Sequence, residues 1–238
     1  MTADRRLRIL ALLAGEHPAG ETRRLCEVAA EVTGMSGAGI MLLNAAGPQG
    51  SLCTTNDTSA LIEELQYTLG EGPCVDAHRD GTATLEADLA EPTAPRWAAF
   101  SGPAVAAGVR AVFGFPIRIG AARLGALNLY RDSPGLLSDD QYADAVVMAE
   151  VAARAILALQ SEAPVDTIAA ELDIDADFHP VVHQAAGMVS VQLDVAVTEA
   201  LVRLRAHAFA TEQSLSDVAT AVVSRQLRFA PPPDSVQP

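Results

Sequence analysis

Two arginines stand two residues apart in "EALVRLRAHAFATEQSLSDVA", the stretch from Glu199 to Ala219. Guanidinium groups at that spacing matter for anion recognition only if a helix turns one of them toward other donors. At about 100° per residue, around an apolar face centred on Val197, Leu201, Leu204 and Ala208, Arg203 falls outside the face and Arg205 lies on its flank. Arg205 would then sit beside the amino end of the next helix, near the hydroxyls of Ser214 and Ser216. A guanidinium fork, a helix dipole and two hydroxyl donors make a compact anion site, suited to a phosphate or a splayed-out base. The competing reading is that both arginines solubilise a helix and pair with Glu199 or Asp217.

The remaining chemistry-bearing residues lie earlier in the chain. Cys26, Cys53 and Cys74 are odd in number and lack metal-ligand spacing, which favours free thiols in a reducing cytoplasm over a disulfide scaffold. As a thiol sensor, Cys53 and Cys74 lack a flanking basic residue close in sequence to lower their pKa, Arg79 being the nearest. His78 is a lone histidine without a second ligand at helical spacing, so no metal site is expected. No Ser/His/Asp arrangement, carboxylate pair, phosphate-binding loop or zinc spacing stands out, and no catalysis is expected.

These residues need elements to hold them. The chain has 238 residues, half of them hydrophobic, enough for a substantial core. A formal charge of −14 repels phosphate at long range, so any nucleic-acid contact must be local. No apolar run reaches the roughly 18 to 20 residues needed to span a bilayer, and the N-terminal "LRILALLAG" is broken by Arg8 and lacks a cleavage site. A cytoplasmic protein without a membrane partner is expected.

Periodicity predicts a helix over residues 3–14 and a second ending at Gly34, then strands "AGIMLLN" and "GSLCTTN" joined through "AAGPQG". Asp57 is positioned to cap the next helix, which closes at Gly70. A strand "TATLEADL" and a helix through Trp97 and Phe100 follow. The hairpin of "RAVFGFPIRI" and "ARLGALNLYR" turns near Gly120. Ser138 and Gln141 have capping-box spacing for a long helix, where Tyr142, Val146, Ala149, Ala153 and Ile156 form a stripe. The stripe packs on its own sheet or forms a two-helix seam in a dimer. Residues 161–177 carry six acidic and no basic side chains and read as a linker. Residues 178–229 balance four acids with four arginines and hold three short helices, the second capped by Thr198 and the third by Ser214. In the first, Ala185 and Gly187 would permit close helix approach. The tail from residue 230 cannot continue a helix.

The segment "HQAAGMVSVQLDVAVTEALVRLRAHAFATEQSLSDVATAVV" resembles an ANTAR domain, a three-helix RNA-binding module of bacterial transcription antiterminators. The resemblance rests on Ala185 and Gly187, Glu199 with Ala200, Leu204 with Arg205, Ala208, and Leu215, Val218 and Ala219. It implies binding of RNA stem-loops through Ala185, Gly187, Arg203, Arg205, Ser214 and Ser216. The family commonly has basic residues where Ala186, Ala206 and Ser214 stand. Recognition here would lean more on Arg205, on packing at Gly187 and on hydroxyl donors.

Residues 20–160 resemble a GAF domain, with "LGEGPCVDA", "GVRAVFGFPI" and "LGALNLY" carrying the similarity. The expected fold class is α+β, a GAF-like antiparallel sheet with flanking helices followed by the three-helix bundle. The resemblance implies a small-molecule or redox sensor whose pocket lies between sheet and helices, with Cys74, Trp97, Phe100, Phe113, Phe115 and Leu127 as its candidate lining and plain core as the alternative for each, and it names no cofactor. The expected order is an N-terminal helix segment (1–19), sensor (20–160), linker (161–177), RNA-binding module (178–229) and tail (230–238). The whole would be a homodimeric regulator of transcription termination. A protein-binding regulator and a thiol-dependent GAF reductase are the alternatives.

Overall fold

The computed structural model describes residues 2–14, 21–45, 47–92, 94–162, 177–178, 180–211 and 213–230. The chain divides into two units, Met1–Phe178 and His179–Pro238. Most of the acidic linker and all of the tail beyond residue 230 lie outside the described residues.

The first unit is built on an antiparallel sheet in the order β3-β4-β5-β1-β2-β6. Its strands are β1 (Gly37–Asn44), β2 (Gly47–Thr54), β3 (Thr84–Glu86), β4 (Ala111–Ile119), β5 (Ala122–Arg131) and β6 (Asp177–Phe178). The β4–β5 hairpin turns at Gly120, as its sequence predicts. Pro48 and Gly50, expected in a loop, lie inside β2. The strand expected over "TATLEADL" shortens to three residues. Asp177 and Phe178 pair with Ser51 and Gly50, so the expected linker ends as an edge strand of the first unit's sheet.

Side-chain alternation divides the sheet into two unlike faces. Phe115 faces Leu127 across β4–β5, Leu127 faces Ile40 across β5–β1, and Ile40 faces Cys53 across β1–β2. This row is buried in one apolar cluster with residues of α1 (Thr2–Leu13), α2 (Glu21–Thr33) and α6 (Asp139–Glu162). The adjoining row, Gly114, Asn128, Gly39 and Thr54, points to the other face. There lie α3 (Asp57–Leu69), α4 (Pro73–Asp80) and α5 (Ala98–Ala106).

The caps explain where these helices start. Asn56, not Asp57, is the N-cap of α3: its side chain accepts from Ser59 N–H at 2.9 Å, and Ser59 Oγ accepts from Asn56 N–H at 2.9 Å. Asp57 occupies the first helical turn, where its charge suits the helix dipole. Ser138 and Gln141 form the expected reciprocal box ahead of α6. On α6, Ala149, Ala153 and Ile156 are buried in the core of the first unit, whereas Tyr142 and Val146 stay partly exposed, with Tyr142 edge-on to Phe115. Asp144 ties α1 to α6 by accepting from both Arg5 and Arg8.

Cys26 of α2 and Cys53 of β2 form a buried disulfide, with Cα atoms 6.2 Å apart. This corrects the expectation of three free thiols. The pairing is tertiary, between residues 27 apart, and spacing along the chain does not reveal it.

The second unit contains α7 (Pro180–Leu193), α8 (Val197–Ala210) and α9 (Leu215–Val223), each packed against the other two. Its core is Val182, Ala185, Ala186, Val189, Ala200, Leu201, Leu204, Ala208, Leu215, Val218, Ala219 and Val222. Ser214 caps α9 by accepting from Asp217 N–H at 3.0 Å. The N-cap of α8 is Ala196, with no side-chain cap, and Thr198 lies inside the helix.

Candidate functional site

The face of the sheet beneath α3 and α4 carries a cluster of polar groups in a setting where apolar ones are the rule. On α3 the buried positions are Ser59, Ile62, Glu63, Gln66 and Tyr67, a helical stripe in which a carboxyl and a carboxamide take places expected for hydrophobes. Glu63, Gln66 and Asn128 are at most 2 % exposed. The glycines make the room for them: a Cβ at Gly39 would fall 2.6 Å from Glu63 Oε1, and one at Gly114 would fall 2.3 Å from the Pro73 carbonyl oxygen. Gly39 thus admits Glu63 to the sheet, and Gly114 admits the start of α4.

Gln66 holds that start in place. Its Oε1 accepts from Cys74 N–H at 2.7 Å, one of the amides a helix leaves without an internal partner. At the other end of α4, Arg123 donates to the carbonyls of His78 and Arg79. Trp97 adopts a left-handed φ of 54° and donates from Nε1 to Asp76 Oδ2 at 2.9 Å, linking α5 to α4. Glu71 accepts from the N–H groups of Ala99 and Phe100 and closes the first turn of α5.

Several buried polar atoms remain unsatisfied. Glu63 and Asn128 meet only each other, short of good hydrogen-bond geometry, Gln66 Nε2 makes no well-formed hydrogen bond, and neither does His78 Nδ1, although the Gly125 and Asn44 backbones lie near that ring. Buried groups of this kind cost on the order of 1–3 kcal/mol each when left unmade, so a cluster calls for an explanation. Burial pushes the Glu63 carboxyl up to about 8, opposed in part by the nearby Asn128 amide, and Glu63 is therefore mainly protonated at neutral pH. Burial likewise raises the Cys74 thiol well above its ordinary value; the Glu63 charge adds to this and a hydrogen bond involving Gln66 opposes it. His78 is held below its usual value chiefly by burial, with the Arg123 charge acting in the same sense. The arrangement offers neutral donors and acceptors, and the Cys74 thiolate is suppressed.

The six residues expected to line one pocket do not share one. Phe113, Phe115 and Leu127 belong to the apolar face with α2 and α6. Trp97 and Phe100 form a separate cluster with Ile62, Leu89, Val112 and Tyr130, while Cys74 is buried on α4. The alternation of β4 and β5 forces this split. Glu63, Gln66 and Asn128 were not among the expected site residues, although polar residues in the stripe of α3 and the two glycines alternating along β1 are visible in sequence. Among the described residues no group of three or more His, Cys, Asp or Glu could hold a metal ion, and His78 has no ligand set around it. Cys53 is tied to Cys26 and offers no free thiol for sensing.

In the second unit the expected RNA-binding residues are scattered in character. Arg203 pairs with Glu199 at 3.1 Å, the bland alternative at that position. Arg205 is half-buried, Ser214 spends its oxygen on the α9 cap, and Ser216 is half-buried. Ala185 is fully buried and offers no surface to a ligand. Gly187 corrects a second expectation: a Cβ there meets nothing within 4 Å, so the residue does not mark a close helix approach. Among the described residues no single helix is long and apolar enough to cross a membrane.

Residues 20–157 match the model of the GAF domain family. No curated protein matches the chain. Among solved structures, the chain is similar to the GAF domain of an Acinetobacter phosphoenolpyruvate-protein phosphotransferase, with 14 % identity, 68 % of this chain and 96 % of that one covered, and a TM-score of 0.50. The GAF domain of a phosphoenolpyruvate-protein phosphotransferase from Coxiella burnetii gives 13 % identity, coverage of 68 % and 95 %, and a TM-score of 0.49. A free methionine-R-sulfoxide reductase from Neisseria meningitidis gives 13 % identity, 68 % and 92 %, and 0.47. The six-stranded sheet between two helical layers and the match over more than half its length together show that the chain belongs to the GAF domain family.

Proposed function

We propose that this chain is a signal-responsive regulator. Its GAF unit senses a small polar molecule at Glu63, Gln66 and Asn128, and its C-terminal bundle is an ANTAR-type output that binds RNA stem-loops to control transcription termination. The observation that carries the sensor half is the cluster of buried donors and acceptors beneath α3 and α4, whose hydrogen-bonding capacity the protein itself meets only in part. A ligand bringing its own hydrogen-bonding groups recovers the desolvation cost that the free protein bears there. Entry requires α4 to move, because the groups are sealed from solvent. The Trp97–Asp76 hydrogen bond and the Gln66 hold on Cys74 are the contacts that such a movement breaks.

The reading is non-catalytic: a buried thiol kept protonated is a poor nucleophile, and it makes Cys74 part of the lining. The output half rests on the resemblance of residues 178–227 to the RNA-binding module and on a bundle whose four arginines balance its four acids in an otherwise acidic chain. Function as a homodimer is supported by apolar side chains that α7 and α8 leave outside, Val191 at 84 % and Phe209 at 61 % exposure. The cytoplasm is the compartment this role needs.

The chain has one tryptophan, and it lies on the sensor's ligand-side cluster. A library of small polar metabolites screened by Trp97 fluorescence and thermal shift should yield a stabilising ligand. Glu63→Gln and Asn128→Ala should each weaken it at least about tenfold, the loss of one or more buried hydrogen bonds. A stabilising ligand whose affinity neither substitution changes would place sensing elsewhere.

A further inference from the structure

We infer that the RNA-contacting surface of the C-terminal unit is centred on Arg225 and Arg228, in a cleft between the second half of α7 and the chain that leaves α9, where the two guanidinium groups bind backbone phosphates of a single-stranded loop. The inference rests on the RNA-binding reading above and moves its site away from the Arg203–Arg205 pair.

A cavity of about 330 Å³ is lined there by Met188, Gln192, Arg225, Leu227 and Arg228. Neither Arg225 nor Arg228 has an ion-pair partner among the described residues, and both are exposed, whereas Arg203 is already paired with Glu199. Two unpaired guanidiniums around one concave surface hold donors in fork geometry for phosphate oxygens, and the apolar floor from Met188 and Leu227 supports their stems.

The backbone is arranged to present them. Arg225 adopts a φ of +63° at the end of α9, a position where glycine is the ordinary choice. The reversal is fixed by Arg225 N–H donating to Val222 O and by Gln226 and Leu227 N–H both donating to Ala221 O. It returns the chain over α7, where Phe229 N–H donates to Gln192 Oε1 at 2.9 Å. A β-carbon in left-handed backbone is sterically disfavoured, so a large charged residue there points to use of its side chain. Next to Arg228, the Phe229 ring meets His207 of α8 edge-to-face at 5.3 Å. Rings beside a pair of cations are what an unstacked base needs, and they favour an RNA loop over a free phosphate ion.

The test uses the full chain and a pool of RNA stem-loops with randomised loops, with binding measured across a salt series, and inorganic phosphate and the same stems closed without a loop as competitors. Wild type should bind the looped pool, with phosphate competing weakly. Arg225→Gln with Arg228→Gln should weaken binding at least about tenfold and flatten the slope of log affinity against log salt by about 1.4, roughly 0.7 for each single-strand phosphate lost. Lysine at both positions should restore the slope. Arg225→Gly, which relieves the left-handed backbone, should weaken binding without lowering the bundle's melting temperature. If wild type binds and the double glutamine variant binds equally, with an unchanged slope, this site is wrong and the RNA reading stands. If wild type binds no RNA from the pool, both fall. Equal competition by inorganic phosphate would overturn the RNA assignment of the cleft.

Discussion

The two faces of the sensor sheet are made by the same strands, one residue out of phase, and they do different work. Phe115, Leu127, Ile40 and Cys53 run across the sheet as an apolar row that ends in a disulfide to α2. One step along each strand, Gly114, Asn128 and Gly39 form a row with almost no apolar bulk, and α3 and α4 descend into it with Glu63, Gln66 and Cys74. The first face gains free energy from burial; the second carries groups whose burial costs it. The division teaches that the α2–α6 side is held by apolar burial, whereas the α3–α4 side sets buried polar groups beside its own apolar cluster of Ile62, Phe100, Val112 and Tyr130.

The largest test of that division is Glu63→Gln. With an ordinary value of 4.5 and a folded value of about 8, the carboxyl is raised on folding. It leaves stability untouched below about pH 4.5; stability is then lost progressively as pH rises from about 4.5, where the unfolded carboxyl ionises, to about 8, where the buried one ionises too and the loss is complete. The gap corresponds to on the order of 5 kcal/mol. Wild type should therefore lose stability relative to the glutamine variant between pH 5 and pH 9, read from urea midpoints by Trp97 fluorescence. A constant difference across that range would mean that Glu63 ionises freely, and the two faces would not differ in the way described.

The apolar face should answer in the opposite manner. Phe113→Ala removes a fully buried ring from the α2–α6 side and should cost about 3–5 kcal/mol at every pH. Ligand affinity measured at saturating stability should not change. A Phe113→Ala variant that folds well but loses ligand would show that the faces are coupled through the strand.

Opening the Cys26–Cys53 bridge tests the same face more gently. Crosslinking residues 27 apart contributes about 3 kcal/mol on the chain-entropy account. A thiol reductant, or Cys26→Ser, should lower the unfolding free energy extrapolated from urea titration by that amount and leave the Glu63 titration in place. Cys74→Ser should show the same sensitivity to reductant, because Cys74 takes no part in the bridge. If reductant has no effect on Cys26→Ser but a large one on Cys26→Ser's parent, the bridge is the target; if neither responds, the thiols do not pair.

How much of this was written in the sequence varies with the range of the interaction. The β4–β5 hairpin, the Ser138–Gln141 box and the Ser214 cap depend on residues at most a few apart, and pattern alone locates them. The disulfide and the split of the six aromatic and apolar candidates depend on which strands pair, and no local pattern fixes that. The polar cluster was half legible. Glycines at alternate positions of "GAGIM" announce close approach to one face of β1, and Glu63 and Gln66 interrupt an apolar stripe, but their convergence needs β1, β5 and α3 in place together. In the second unit, arginine spacing located a helix surface, yet Glu199 claims Arg203, and the chain reversal at Arg225 has no glycine to signal it.

The smallest prediction compares the two faces through their helix caps. Asn56 caps α3 above the polar row, and Ser138 caps α6 on the apolar side. Alanine at either site removes one side-chain acceptor from a first turn and should cost about 1 kcal/mol. The consequences beyond that cost should differ. Asn56 Oδ1 also accepts from Tyr130 Oη at 3.0 Å, so Asn56→Ala loosens α3 where it meets β5, only two turns from Glu63. Water reaching that end of the helix would bring the Glu63 carboxyl down toward its ordinary range, so that the loss of stability with rising pH becomes smaller and is complete at a lower pH. Ser138→Ala leaves the same titration where it was, because the first turn of α6 packs on the other side of the sheet. Equal shifts from the two substitutions, measured by the pH dependence of the Trp97 transition, would mean that the sheet does not insulate one face from the other.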